Sequence, residues 1–172
     1  IYSTNVSEGE NVKKLIILTL LAILASCGGD PLLEGVKIEV KGKRHDEAYT
    51  KLSAALYSQD VKFASIQKNA EAWVTMAELH YRKAEHEKAN AALDQAIALD
   101  VDKTHKFADE AKNKKKFWSG ITYNTSVTNY NAALKVEKDS AVIFFAKAIE
   151  AGTASSTYES NVNAIFIAGQ SA

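Results

Sequence analysis

The spacing alanine, three residues, leucine or phenylalanine, two residues, alanine occurs three times in the chain. It appears as Ala48, Leu52 and Ala55, as Ala89, Leu93 and Ala96, and as Ala141, Phe145 and Ala148. Steps of four and three residues return to one face of an α-helix, so each triad is a stripe of small, large and small side chains. Small residues let two helices approach closely, and the large one fills the space between them. One such stripe means little where alanine is abundant. Three, each behind a charged turn, call for paired helices. Proline, the strongest helix breaker, occurs once, at Pro31. The fold class that follows is all-α.

The clearest pair lies in "AEAWVTMAELHYRKAEHEKANAALDQAIALD", residues 70–100. Trp73, Met76, Ala77 and Tyr81 share a helical face. After a break at residues 83–86, Ala89, Leu93, Ala96 and Ile97 continue with helical spacing. Two short amphipathic helices with a tight turn make an αα-hairpin.

These residues resemble a tetratricopeptide repeat, a 34-residue helical pair with the pattern W-x2-L-G-x2-Y…A-x3-F. With Ala70 as the first position, Trp73, Met76, Ala77, Ala89, Leu93, Ala96 and Leu99 fall at the large and small sites of the pattern. Ala77 replaces the glycine, tyrosine comes one place late at Tyr81, and Val101 replaces the closing proline. The resemblance implies a short α-solenoid of such hairpins, near 43–58, 70–100 and 117–152, with a partial repeat at 156–172. The triads are 41 and 52 residues apart rather than 34. The excess falls at "YSQDVKFASIQKN", read as a longer loop, and at "VDKTHKFADEAKNKKKF", read as an extra charged helix or linker. Gly152 is placed to end the last complete hairpin, and Tyr158 to stand on the first helix of the partial repeat. "VKIEVKGK" is compatible with a short strand or a degenerate repeat helix.

Ahead of the helices, Lys13 and Lys14 precede an apolar stretch at residues 15–25, interrupted only by Thr19. Positive residues, a short apolar core and then small residues form the layout of a secretory signal, expected at 12–26. The stretch is short of the ~20 residues of a spanning helix. Leu24-Ala25-Ser26-Cys27 resembles the lipobox of bacterial lipoproteins. That family implies cleavage before Cys27, lipid on its sulfur, and a tether over 27–42. Gly28 follows the cysteine where some bacteria place an inner-membrane aspartate, so by that resemblance the outer membrane is favoured. Residues 1–11 do not belong before a signal and are read as a non-native leader, with translation starting at Val12.

Chemistry finds little foothold. There is no G-x-S-x-G, P-loop or dinucleotide glycine motif. His45, His80, His86 and His105 have no ligand spacing and are read as structural. Cys27 is the only cysteine, which excludes an internal disulfide framework. Net charge is zero, so nothing overall favours nucleic acid. The lysine run at 112–116, with Lys103 and Lys106, is a solvated face or a patch for anionic lipid or an acidic partner. No catalytic residue, cofactor or metal is expected.

What remains is a binding surface for a protein or peptide partner in the envelope. By family register the groove positions are Glu71, Val74, Glu78, Tyr81 and Arg82, then Tyr123, Asn124, Val127, Tyr130 and Asn131. Their alternative is plain exposure to solvent. The expected function is a non-enzymatic scaffold or interaction lipoprotein of the bacterial cell envelope. The rivals are an accessory part of a larger envelope enzyme and a periplasmic small-ligand binder.

Overall fold

The computed structural model describes residues 30–100, 105–159, 163, 164 and 170. Leader, signal and Cys27 lie outside the described residues, as does most of the partial repeat at 156–172. Among the described residues the regular structure is helical throughout, with no strand. The elements are α1 (Pro31–Lys41), α2 (His45–Leu56), a 3-10 turn (Val61–Phe63), α3 (Ala64–Gln67), α4 (Ala70–Arg82), α5 (His86–Leu99), α6 (Lys106–Ala133) and α7 (Lys138–Tyr158).

The fold begins earlier than the tether expected over 27–42. The Asp30 carboxylate accepts the backbone N–H of Leu32 at 2.9 Å, and Pro31 takes the first turn, where no donor is needed. Asp30 also accepts the Ser65 hydroxyl at 3.2 Å, which ties this cap to α3. Helix α1 contains most of "VKIEVKGK" and buries Leu33 and Val36. The longer loop expected after α2 holds two short helical pieces, and Ile66 in α3 reaches the core.

Hairpins α1–α2 and α4–α5 turn in the same way. Lys43 and Ala84 both take positive φ, 61° and 57°. In each turn an N–H reaches back across the end of the first helix, Arg44 to the Glu39 carbonyl at 2.9 Å and Glu85 to the His80 carbonyl at 3.0 Å. This is the left-handed closure that satisfies carbonyls left open at a helix end. The two turns stand 41 residues apart, as do the first two alanine triads. All six residues of those triads are fully buried. In the third triad Ala148 is buried while Ala141 and Phe145 are half-buried.

The core has two parts that share α4. One joins Leu33, Val36, Leu52 and Ile66 to Met76 and Leu79 of α4. The other joins Val74 and Ala77 on α4 to Leu93 on α5, Trp118 on α6 and Tyr158 on α7. The three helical pairs therefore stack in chain order, with α4–α5 in the middle.

The last pair departs from the sequence expectation. The charged stretch read as a separate helix or linker is the first half of α6, which runs 28 residues without a break. Its start is held by Asp100, whose carboxylate accepts the N–H groups of Phe107 at 2.7 Å and Ala108 at 3.0 Å. Gly152 does not end α7. It is buried within the helix, which continues to Tyr158. The reason is a seam of small residues between α6 and α7. Ser126 donates to the Ala148 carbonyl at 2.7 Å, and Ser119 and Ser155 each donate to the other's carbonyl, at 3.1 and 2.9 Å. Where backbones approach so closely, glycine is a packing residue and not a stop. Beyond Ser126 the seam thins, and Leu134, Val136, Val142 and Ile143 are exposed at the far end.

Candidate functional site

Near the end of α4, Tyr81 lies flat on Trp118 of α6, with ring centroids 4.3 Å apart and planes 9° from parallel. Tyr158, the last residue of α7, meets Trp118 at 5.5 Å. His86, the first residue of α5, stands edge-on to Tyr81 and Tyr158 at 5.6 and 5.7 Å. Four helices thus contribute one ring each to a single knot. One polar pair lies inside it, with His86 Nδ1 and the Tyr158 hydroxyl 2.9 Å apart. Burial holds the Tyr158 phenol well above its ordinary pKa, and the Tyr81 hydroxyl adds to the effect. Burial also lowers the His86 imidazole, against a smaller opposing pull from Glu150. A neutral imidazole and a protonated phenol can share this hydrogen bond without either group carrying charge.

Two cavities meet at Tyr81. The first, of about 510 Å³, is lined by Glu78, Tyr81 and Arg82 from α4 and by Lys114, Phe117 and Trp118 from α6. The second, of about 400 Å³, continues along α6 past Ile121, Thr125 and Asn129, with Lys147 and Glu150 of α7 on its other wall. Together they form an open cleft running the length of several turns of α6.

Most charges of the first cavity are spoken for. Lys114 bonds Glu78 across the helices and Glu110 on its own helix at 3.4 Å. Burial lowers its pKa, but these bonds outweigh burial and hold the ammonium above the usual lysine value. Other members of the lysine run are paired too, Lys112 with Asp109 at 3.6 Å and Lys115 with Asp94 at 2.6 Å. Arg82 is exposed and has no ionic or hydrogen-bonded partner among the described residues. Phe117 stands beside it, 64% exposed.

The groove residues read by family register divide sharply. Glu78, Tyr81 and Arg82 line the cleft. Glu71 is turned to Lys37, with which it pairs at 2.7 Å. Val74 is 4% exposed and belongs to the core. On α6 the register fails. At ~100° per residue, Val127 lies half a turn from Trp118, and Tyr123 and Tyr130 lie about a third of a turn or more from it. Tyr130 rests on Phe145 at 5.8 Å. Asn124 borders a shallow depression with Ile121 and Thr128, and Asn131 is exposed. The register was counted from a helix starting near 117, whereas α6 starts at Lys106. Of the cleft residues it missed, Lys114, Trp118, Ile121, Thr125 and Asn129 follow one another at three- and four-residue steps, with Phe117 next to Trp118, a stripe legible once 106–133 is taken as one helix.

His80, one of the four histidines, is a buried structural residue. Its Nδ1 meets Glu85 at 2.6 Å and its Nε2 the Tyr57 hydroxyl at 3.3 Å. The bond to His80 is the main cause that lowers the Glu85 carboxyl. Among the described residues no group of three or more histidine, cysteine, aspartate or glutamate side chains could hold a metal ion. No helix among them is long and apolar enough to cross a membrane. Compared with known proteins, the chain matches no family model, and no curated protein or solved structure is significantly similar to it.

Proposed function

We propose that the chain is a non-enzymatic protein-binding module of the bacterial cell envelope. It would be a short α-solenoid of tetratricopeptide-like hairpins, tethered through lipid on Cys27, that holds a partner in the cleft between α4 and α6. The observation that carries the binding reading is the cleft itself. An exposed phenylalanine and an unpaired arginine stand beside a rigid stacked Tyr81–Trp118 floor. Aromatic and arginine side chains dominate the energetics of protein interfaces. The repeat reading is supported by the shared turn of α1–α2 and α4–α5 and by the buried triads. The envelope reading rests on the lysines, apolar stretch and lipobox-like residues at 12–27.

A photo-reactive amino acid placed at position 117 in cells tests the binding reading. Discrete adducts that vanish when Arg82→Ala is added are the expected result. An unmodified band at position 117, with adducts only at an exposed site elsewhere such as position 62, would remove the cleft from function. The anchor is tested separately by labelled palmitate, which should enter the wild-type chain and be lost in Cys27→Ser.

A further inference from the structure

We infer that the cleft recognises a partner segment in which a large apolar side chain, best an aromatic one, stands next to an aspartate or glutamate. The inference rests on the binding reading above and names the chemistry of the partner.

Glu78 and Lys114 in the first cavity neutralise each other, and Glu110 adds to the hold on Lys114. Among the charged side chains that line the cavity, Arg82 alone is without a partner, so its guanidinium is free to take an incoming carboxylate. A guanidinium offers a planar fork of donors that fits a carboxylate with two parallel bonds. A partner lysine would meet repulsion here, and a neutral side chain would forgo the charge-assisted bonds. The second cavity has no arginine and carries both signs of charge, Lys147 and Glu150, on one wall. It offers mixed polar groups, Thr125 and Asn129, suited to main-chain hydrogen bonds.

Apolar area sets the neighbouring residue. Phe117 is 64% exposed and borders both the first cavity and a further depression on its other side, lined by Lys106, Asp109 and Asn113. It lines the same cavity as the stacked Tyr81–Trp118 pair. A ring or branched side chain laid against Phe117 gains apolar burial and a ring contact. Arg82 and Phe117 line the same cavity, so one short stretch of chain can satisfy both. The cleft follows α6 from Lys114 to Asn129, about 22 Å at 1.5 Å per residue. An extended segment of about seven residues spans that length.

The test uses the full 172-residue chain and fluorescein-labelled heptapeptides on a glycine–serine frame. Their central pairs are Phe-Glu, Phe-Gln, Phe-Lys and Ala-Glu. Anisotropy should rank Phe-Glu tightest, about tenfold over Phe-Gln, which corresponds to ~1.4 kcal/mol. Arg82→Gln should erase the difference between Phe-Glu and Phe-Gln. Phe117→Ser should bring Phe-Glu down to the level of Ala-Glu. Arg44→Gln, on the turn before α2, should change neither. Arg82 and Phe117 are exposed, and helix content by circular dichroism verifies that each variant folds. Phe-Gln or Phe-Lys binding as tightly as Phe-Glu would overturn the inference and leave the binding reading standing. So would unaltered ranking in Arg82→Gln. A random heptapeptide library from which the wild-type chain retains nothing would overturn both.

Discussion

His86 illustrates how much one side chain can link. It opens α5, touches Tyr81 of α4, and shares a hydrogen bond with Tyr158 at the end of α7. Burial lowers its pKa from the ordinary 6.5. The unfolded chain therefore takes up a proton at this residue before the folded one does. Stability from this site is fully present above pH ~6.5 and declines as pH falls toward the folded pKa, by at most ~1.4 kcal/mol per pH unit. Urea unfolding at pH 7.5 and pH 5.5 checks this. The wild-type midpoint should drop by more than that of His86→Gln, which keeps a hydrogen-bonding group for Tyr158 but does not titrate. Equal drops would show that the pH response comes from other groups. Glycine offers a test of opposite sign. Gly35 in α1 and Gly120 in α6 are helical, and a methyl group built on either meets nothing within 4 Å. Gly35→Ala and Gly120→Ala should each raise stability by about 0.5–1 kcal/mol, since alanine restricts the unfolded chain and favours helix. Thermal unfolding reads the gain.

At the level of elements, the α6–α7 seam is the most demanding contact. Ser126 is wholly buried against the Ala148 carbonyl. Ser126→Leu would force the two helices apart and should cost about 1–3 kcal/mol, with Ser126→Ala much milder. Denaturant midpoints for the pair give the comparison. The same seam shows where the sequence could be read and where it could not. The all-helical character and the α4–α5 hairpin were legible, because alanine triads and three- to four-residue steps report helix faces directly. Asp30-Pro31 caps and opens α1 in the structure, but beside two glycines it reads as a tether in the sequence. Gly152 was misleading for a physical reason. Glycine ends helices by its backbone freedom and tightens helix pairs by its lack of a side chain, and sequence alone does not say which property is used. The cleft was half legible. Its α4 wall followed from family register, while its α6 wall depended on where a long helix begins.

For the whole molecule, stability should be graded along the stack. Helix α4 is buried from both sides, whereas the far half of α6–α7 has only the thin seam within it and exposed Leu134, Val136, Val142 and Ile143 around it. Amide hydrogen exchange should therefore be slowest in α4 and α5 and markedly faster over residues 130–145. Uniform protection along the chain would contradict the gradient. The seam between α6 and α7 is also a ruler whose marks repeat. Ser119 and Ser126 are seven residues apart, as are Ala148 and Ser155. A slip of seven residues would again set small against small, Ser126 on Ser155 and Ala133 on Ala148. The middle of the hairpin thus holds almost no information about its own alignment. That information sits at the two ends, in the four-residue turn at 134–137 and in the clasp of Trp118 and Tyr158, so the rings that floor the cleft also tell the longest helices where to stop sliding.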